Sequence, residues 1–134
     1  MKDKLIFFVD DEPMFINLLE YTFKCKTGYV IRTFGNGEDC IRHLDMNPDL
    51  VVVDYFLEIG RMSGMEVVKA IKKRNSDIAV IVLSGNSDRA AIAEAKSAGV
   101  SDYIIKDGYF IDKLTECIIK ALANPALPHS ADEK

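Results

Sequence analysis

The chain has 134 residues, enough for one domain with its own hydrophobic core and too few for two ordinary ones. Hydrophobic residues make up 49% and charged residues 28%, the balance of a soluble globular protein. A net charge of −4 gives no general attraction to nucleic acid or anionic membrane and excludes binding that rests on bulk positive charge.

The elements follow in chain order. Leu5–Val9 is a first apolar run, too short for a signal peptide or a membrane span. Asp10, Asp11 and Glu12 follow as capping carboxylates, with Pro13 where a first helical turn tolerates a missing N–H. Phe15, Leu18, Leu19, Thr22 and Phe23 recur at helical spacing, and Gly28 ends that helix near Lys26. Tyr29–Phe34 reads as a second strand. Gly35-Asn36-Gly37 is a turn, and Cys40, Ile41 and Leu44 form one stripe of a short second helix. After the break at Asn47-Pro48-Asp49 comes Leu50-Val51-Val52-Val53-Asp54, four apolar residues ending in a carboxylate. Such a run suits a strand buried on both faces of a parallel sheet.

Tyr55–Met62 is a loop, and Ser63 and Glu66 have the spacing of a capping box for a third helix that buries Val67, Val68 and Ile71. Lys72, Lys73 and Arg74 sit at the negative end of its dipole. Ile78–Leu83 is a fourth strand leading into Ser84. A fourth helix between an N-cap at Ser87 and a C-terminal Gly99 carries Ile92 as its only large apolar side chain, so alanines must line its buried face. Each missing large side chain forgoes roughly 1.5–3 kcal/mol of burial, and this helix is expected to be the most weakly anchored. Tyr103–Ile105 is a fifth strand before Lys106, and Ile111, Leu114, Cys117, Ile118, Ala121 and Leu122 mark a fifth helix stopped at Asn124-Pro125. Residues 1–124 thus form one domain, and 125–134 read as a tail or truncated linker. Cys25, Cys40 and Cys117 show no metal or redox spacing and read as reduced thiols in or near the core, which fits a cytoplasmic protein.

Five βα units imply right-handed crossovers and a three-layer α/β/α sandwich. Parallel strands would gather Asp10, Asp11, Asp54, Ser84 and Lys106 at one rim, where open α/β sheets place their ligands. Three carboxylates within a few ångströms repel one another unless a cation joins them. Oxygen-only donors with room for water suit Mg2+, with Mn2+ as a substitute. An in-line carboxylate could then act as nucleophile toward a phosphoryl donor, with Lys106 as a second positive charge and the Ser84 hydroxyl as a hydrogen-bond donor.

This combination, Asp10-Asp11, Asp54, Ser84 and Lys106, each at the end of a successive strand except the second, resembles the receiver domains of bacterial two-component response regulators. The resemblance covers Lys4 to about Ala123 and brings with it the flavodoxin-like, doubly wound five-stranded parallel sheet of order 2-1-3-4-5, a known pattern matched rather than derived. It implies that Asp54 accepts a phosphoryl group from a phosphohistidine on a sensor histidine kinase or histidine phosphotransfer protein. Asp11, Asp54 and the backbone carbonyl of Phe56 would ligate Mg2+ directly, with Asp10 acting through water. Ser84 and Tyr103 would be the switch residues, and Lys106 and Ser84 would contact the phosphoryl group. The chain would catalyse only its own phosphorylation and slow dephosphorylation. Its altered contacts, made through the fourth helix, fifth strand and fifth helix, would reach a downstream protein target as a monomer or a phosphorylation-dependent dimer, without nucleic-acid or membrane contact.

Three departures from the family pattern stand out. Glu58 replaces the usual proline four residues after the acceptor, and Ile59-Gly60-Arg61 lengthens the loop, leaving Arg61 available to an acidic partner. Asp107 replaces the usual cis proline after Lys106, so a trans bond is expected. Phe56 and Asn86 border the path of attacking water and would tune hydrolysis of the acyl phosphate.

Taken singly, each residue has an ordinary reading: Asp10-Asp11 as helix caps, Ser84 as a turn residue, Lys106 as a solvated lysine, Tyr103 as a packed strand aromatic. Three rival functions remain open. An aspartate-dependent phosphatase of the haloacid-dehalogenase type would want a second Asp where Glu12 stands. A flavin carrier would want a phosphate-cradling loop where Asp10-Asp11-Glu12 stands. The chain could also be the receiver piece of a longer regulator.

Overall fold

The computed structural model describes residues 3–58, 61–85 and 88–123. Its elements run β1 (Lys4–Val9), α1 (Pro13–Lys24), β2 (Tyr29–Phe34), α2 (Gly37–Arg42), β3 (Leu50–Asp54), α3 (Gly64–Arg74), β4 (Ala79–Ser84), α4 (Arg89–Ser97), β5 (Asp102–Ile105) and α5 (Phe110–Ala123). The strands form one parallel sheet in the order β2-β1-β3-β4-β5. The apolar runs become strands because each is rich in β-branched or aromatic residues, which fit a pleated sheet covered by helices. All residues of β3 and β4 are buried.

Strand alternation divides the core in two. Ile6 and Phe8 of β1, Leu50 and Val52 of β3, and Ile81 and Leu83 of β4 pack with Leu19 and Phe23 of α1 and Leu114 and Ile118 of α5. The intervening Phe7, Val9, Val51, Val53, Val80 and Val82 pack on the opposite face with Val67, Val68 and Ile71 of α3 and Ala95 of α4. The period of two thus decides which helices a strand-end side chain meets.

Several boundaries differ from the sequence reading. Glu12, not the aspartate pair, is the N-cap residue of α1, and its side chain makes no capping bond. α1 stops at Lys24, with Gly28 at φ +96° turning the chain into β2. α2 ends at Arg42, because Leu44 belongs to a separate 3-10 turn, Leu44–Met46, closed by Asn47 at φ +59°. The cap of α4 is Asp88, whose side chain accepts from the Ala90 N–H. Ser87, Asn86, Ile59, Gly60 and the segment from Asn124 onward lie outside the described residues. The expected capping box of α3 is present, with Ser63 accepting from the Glu66 N–H and Glu66 from the Ser63 N–H. Lys72 donates to the carbonyls of Ser76 and Ile78 at the C-terminal end of α3. Cys40 is buried and Cys117 half-buried, and burial pushes both thiols up to about 12. Cys25 is exposed, against the expectation that all three cysteines sit in or near the core.

α4 bears out its weak pattern: its buried residues are Ala91 and Ala95 alone, against Leu19 and Phe23 in α1. Apolar burial of about 25 cal/mol per Å² makes that difference worth several kcal/mol of local anchoring. Amide hydrogen exchange is therefore expected to be faster in α4 than in α1 under native conditions. Equal protection of the two helices would contradict this account of α4.

Candidate functional site

The C-terminal ends of β1, β3 and β5 bring together four of the five residues predicted to share a rim, Asp10, Asp11, Asp54 and Lys106. Asp10, Asp11 and Asp54 offer carboxylate oxygens all within 4.8 Å of one another. Lys106 reaches into this group, its Nζ 3.2 Å from Asp10 Oδ2 and 3.1 Å from Asp54 Oδ2. Its side chain is only 16% exposed and those of Asp10 and Asp54 are 2% and 8%, so these ion pairs are shielded from solvent screening. Asp11 is the more open of the three carboxylates.

The backbone supports each acid. Asp10 Oδ1 accepts from the Glu12 N–H at 2.9 Å, and Asp54 Oδ1 from the Phe56 N–H at 3.2 Å. Asp10 and Asp54 continue the alternation of Ile6–Phe8 and Leu50–Val52, on the side of the sheet facing α1 and α5. Ser84 falls on the other side, with Val80 and Val82. It is fully buried, and its carbonyl accepts from the Lys106 N–H at 2.8 Å. Tyr103 also packs on that second face, its ring centroid 6.3 Å from that of Tyr55.

Burial and then the Asp10 charge push the Asp54 carboxyl up to about 6, against the opposing pull of Lys106. Burial raises Asp10 as well, although its hydrogen bond from Glu12 and the Lys106 charge resist. For Lys106, burial is the largest single influence and lowers it, but the two carboxylates together outweigh burial and the net shift is upward. One ammonium thus compensates two buried carboxylates only in part. A cluster of hard oxygen donors that keeps excess negative charge fits a divalent cation such as Mg2+.

Four supports were not visible in the sequence. Phe15, read only as one position of a helical repeat, places its ring centroid 3.9 Å from Lys106 Nζ. Gly64 lies so close to β3 that a Cβ would overlap the carbonyl oxygens of Asp54 and Tyr55. Glu38 of α2 ties down the β3–α3 loop, accepting from the Met62 N–H at 2.9 Å and pairing with Arg61 Nε at 3.4 Å. Arg61 is therefore engaged within the chain, not free for an acidic partner. Tyr55 donates its hydroxyl to Glu94 of α4 at 3.2 Å, and Glu94 also pairs with Lys69. Each support depends on contacts across the fold, between residues far apart in the chain.

Phe56 is 55% exposed, its ring set edge-on against Tyr55. The bond after Lys106 is trans, as expected, since the described residues contain no cis peptide. Asp107 holds that turn by accepting from the Tyr109 N–H at 2.9 Å and pairing with Lys113 at 3.1 Å.

The sequence profile of the response regulator receiver domain matches residues 6–118. The chain belongs to the response regulator receiver domain family. It is 30% identical over 120 residues to the Regulator of RpoS of Escherichia coli, covering 89% of this chain and 35% of that protein. It is 30% identical over 105 residues to the chemotaxis protein CheY of Thermotoga maritima, covering 77% of this chain and 85% of CheY. The chain therefore spans about a third of the length of the first relative and most of the second. Among solved structures it resembles the response regulator TrrA of Thermotoga maritima in complex with Mg2+ and BeF, at 32% identity and TM-score 0.75, covering 87% of this receiver and 97% of TrrA. A CheY-like receiver from Methanospirillum hungatei, at 21% identity and TM-score 0.81 over 92% of this chain and 97% of that one, shares the fold. Receiver domains are signalling switches of two-component systems, not ordinary turnover enzymes. Among the described residues no helix is long and apolar enough to cross a membrane.

Proposed function

We propose that Asp54 is the phosphoacceptor of a two-component phosphorelay, receiving its phosphoryl group from a phosphohistidine on a sensor histidine kinase or histidine phosphotransfer protein. The observation that carries this reading is Lys106 Nζ between Asp10 and Asp54 at 3.2 and 3.1 Å, beside a third carboxylate. An Asp54 carboxylate oxygen attacks phosphorus as the P–N bond to the donor imidazole breaks, the bonding pair leaving on the imidazole nitrogen. With its pKa pushed up to about 6, Asp54 is ionised at neutral pH and available as nucleophile. Asp11, Asp54 and the Phe56 carbonyl would hold Mg2+ directly, with Asp10 through water; the bound ion would offset charge on the phosphoryl oxygens. Lys106 supplies positive charge to the same oxygens, and the Ser84 hydroxyl donates to one of them. Phe56, two residues after the acceptor, slows hydrolysis of the acyl phosphate; Asn86, given the same role by its place two residues after Ser84 in the sequence, lies outside the described residues.

Phosphorylation replaces one negative charge with about two and adds acceptor oxygens. Ser84 shifts toward them and Tyr103 turns inward, biasing the lightly anchored α4 together with β5 and α5. A coupling of about 1–3 kcal/mol suffices for such a population shift. The altered face engages a downstream protein target, as monomer or phosphorylation-dependent dimer, in the cytoplasm.

Incubation with a small acyl phosphate and Mg2+ is expected to add one phosphoryl group to the intact mass of the wild type and none to Asp54→Asn. Labelling of Asp54→Asn to the wild-type extent would refute the assignment.

A further inference from the structure

We propose that Phe15 is a positioning residue for phosphoryl transfer, its ring serving as the platform that aims the Lys106 ammonium at Asp54. The proposal rests on the reading of Asp54 as phosphoacceptor and adds a role for an aromatic side chain that the sequence assigns only to packing.

A lysine side chain is a flexible stem carrying a compact charge, so a lysine that must meet a phosphoryl group at one place needs something to hold it. Two carboxylates pull Lys106 Nζ inward, but they attract it wherever it approaches them. The ring of Phe15 supplies the missing direction. Its centroid lies 3.9 Å from Nζ, well inside the range of about 6 Å over which an aromatic face attracts a cation. The ring is itself held, because Phe15 of α1 stacks on Phe110 of α5 with centroids 5.0 Å apart and planes 20° from parallel. Phe110 is buried at 8% exposure, so the stack is anchored in the core rather than floating at the rim.

The backbone next to Lys106 makes such a platform necessary. The Lys106 N–H is bound to the Ser84 carbonyl at 2.8 Å and the Asp107 N–H to that of Ile105 at 2.9 Å. Asp107 then starts α5 through the Tyr109 N–H and Lys113. These bonds place the Cα of Lys106 and leave its four side-chain torsions undetermined. Alternation puts Lys106 on the same side of the sheet as Ile104, which packs in the cluster shared with Phe15 and Phe110. The ammonium therefore crosses the ring face on its way to the carboxylates.

A purely structural Phe15 would fill space between α1 and α5, a role leucine can nearly match. A cation platform requires the π face, which leucine lacks and tyrosine keeps. Labelling of the full chain by a small acyl phosphate at saturating Mg2+ is therefore expected to slow roughly tenfold in Phe15→Leu and to recover to within about twofold of wild type in Phe15→Tyr. The Mg2+ concentration for half-maximal rate should not move, since the three carboxylates are untouched. In a Lys106→Met background, Phe15→Leu should have no further effect.

A second readout needs no turnover. In metal-free protein the ε-methylene protons of Lys106 should show ring-current shielding in the wild type and Phe15→Tyr that disappears in Phe15→Leu. Wild-type rates in Phe15→Leu, an equal slowing with Lys106 already removed, or unshielded ε-protons in the wild type would each overturn the proposal. Failure of the wild type to be labelled at all, with shielding present, would instead overturn the phosphoacceptor reading and the catalytic part of this one with it.

Discussion

Lys106→Met is expected to destabilise the metal-free protein by about 3 kcal/mol at about pH 8, a fall in Tm of roughly 10 °C. Methionine keeps the stem and can rest its thioether on Phe15, so the loss is one of charge more than of packing. What remains is Asp10 and Asp54, buried side by side with no cation. The dependence on pH follows from the direction of the shifts. Asp54 already titrates at about 6 in the folded state, above its ordinary value of 3.8, because burial disfavours its charge. Between those values the folded protein binds more protons than the unfolded chain, so this group makes stability fall as pH rises through that window. Removing Lys106 takes away the main force resisting the shift and widens the window upward. The Lys106 contribution itself, raised by its two partners, is fully present at neutral pH and is lost only as pH climbs through its own folded-state value.

Thermal unfolding of wild type and variant should accordingly diverge at about pH 8 and converge as pH falls below about 6, where Asp54 takes up a proton. Addition of Mg2+ should recover part of the loss by mass action. A difference in Tm that ignores pH would show that Lys106 acts through packing alone. In the presence of phosphodonor the same variant should label roughly a hundredfold more slowly, the scale of losing one preorganised donor to developing negative charge.

Gly64→Ala is the second substitution with a large expected effect, about 3 kcal/mol of stability and most of the phosphoacceptor activity. A methyl group there would overlap the carbonyl oxygens of Asp54 and Tyr55 and press on the Tyr55 Cα. These are backbone atoms at the end of the fully buried β3, so they cannot swing aside as a side chain would. Relief must come from moving the start of α3 or the backbone that carries Asp54. Either displaces the acceptor from Lys106 and disturbs the Phe56 N–H bond to Asp54 Oδ1. The loop has little slack to absorb the shift, since Glu38 holds its far end through Met62 and Arg61. Comparison with Gly85→Ala, where a Cβ meets nothing within 4 Å, separates steric overlap from the loss of a glycine as such. Wild-type stability in Gly64→Ala would mean that the helix start yields freely.

Much of this site is legible in the sequence. Asp10, Asp11, Asp54, Ser84 and Lys106 each follow an apolar run, and parallel strands bring such ends to one edge. Strand order and capping of α3 were also local or pattern-based and hold. Asp10-Asp11-Glu12 looked like helix caps because carboxylates just ahead of a helix commonly cap it, and only the approach of β3 and Lys106 shows that Asp10 pairs across the sheet instead. Leu44 looked helical because its spacing continues that of Cys40 and Ile41, although the chain tightens into a separate 3-10 turn. Arg61 looked available because the Glu38 that engages it stands far back in the chain, on α2.

The amino-acid sequence alone determined the alternation of strands and helices, the family resemblance, and which polar groups stand at strand ends. Periodicity and residue chemistry are local properties and survive without a fold. Only the tertiary structure decided that Lys106 lies on the ring of Phe15, that Gly64 must remain bare against β3, and that Tyr55 reaches Glu94. Those contacts join residues far apart in the chain, and their distances are set by how helices pack on a twisted sheet, which no single stretch encodes.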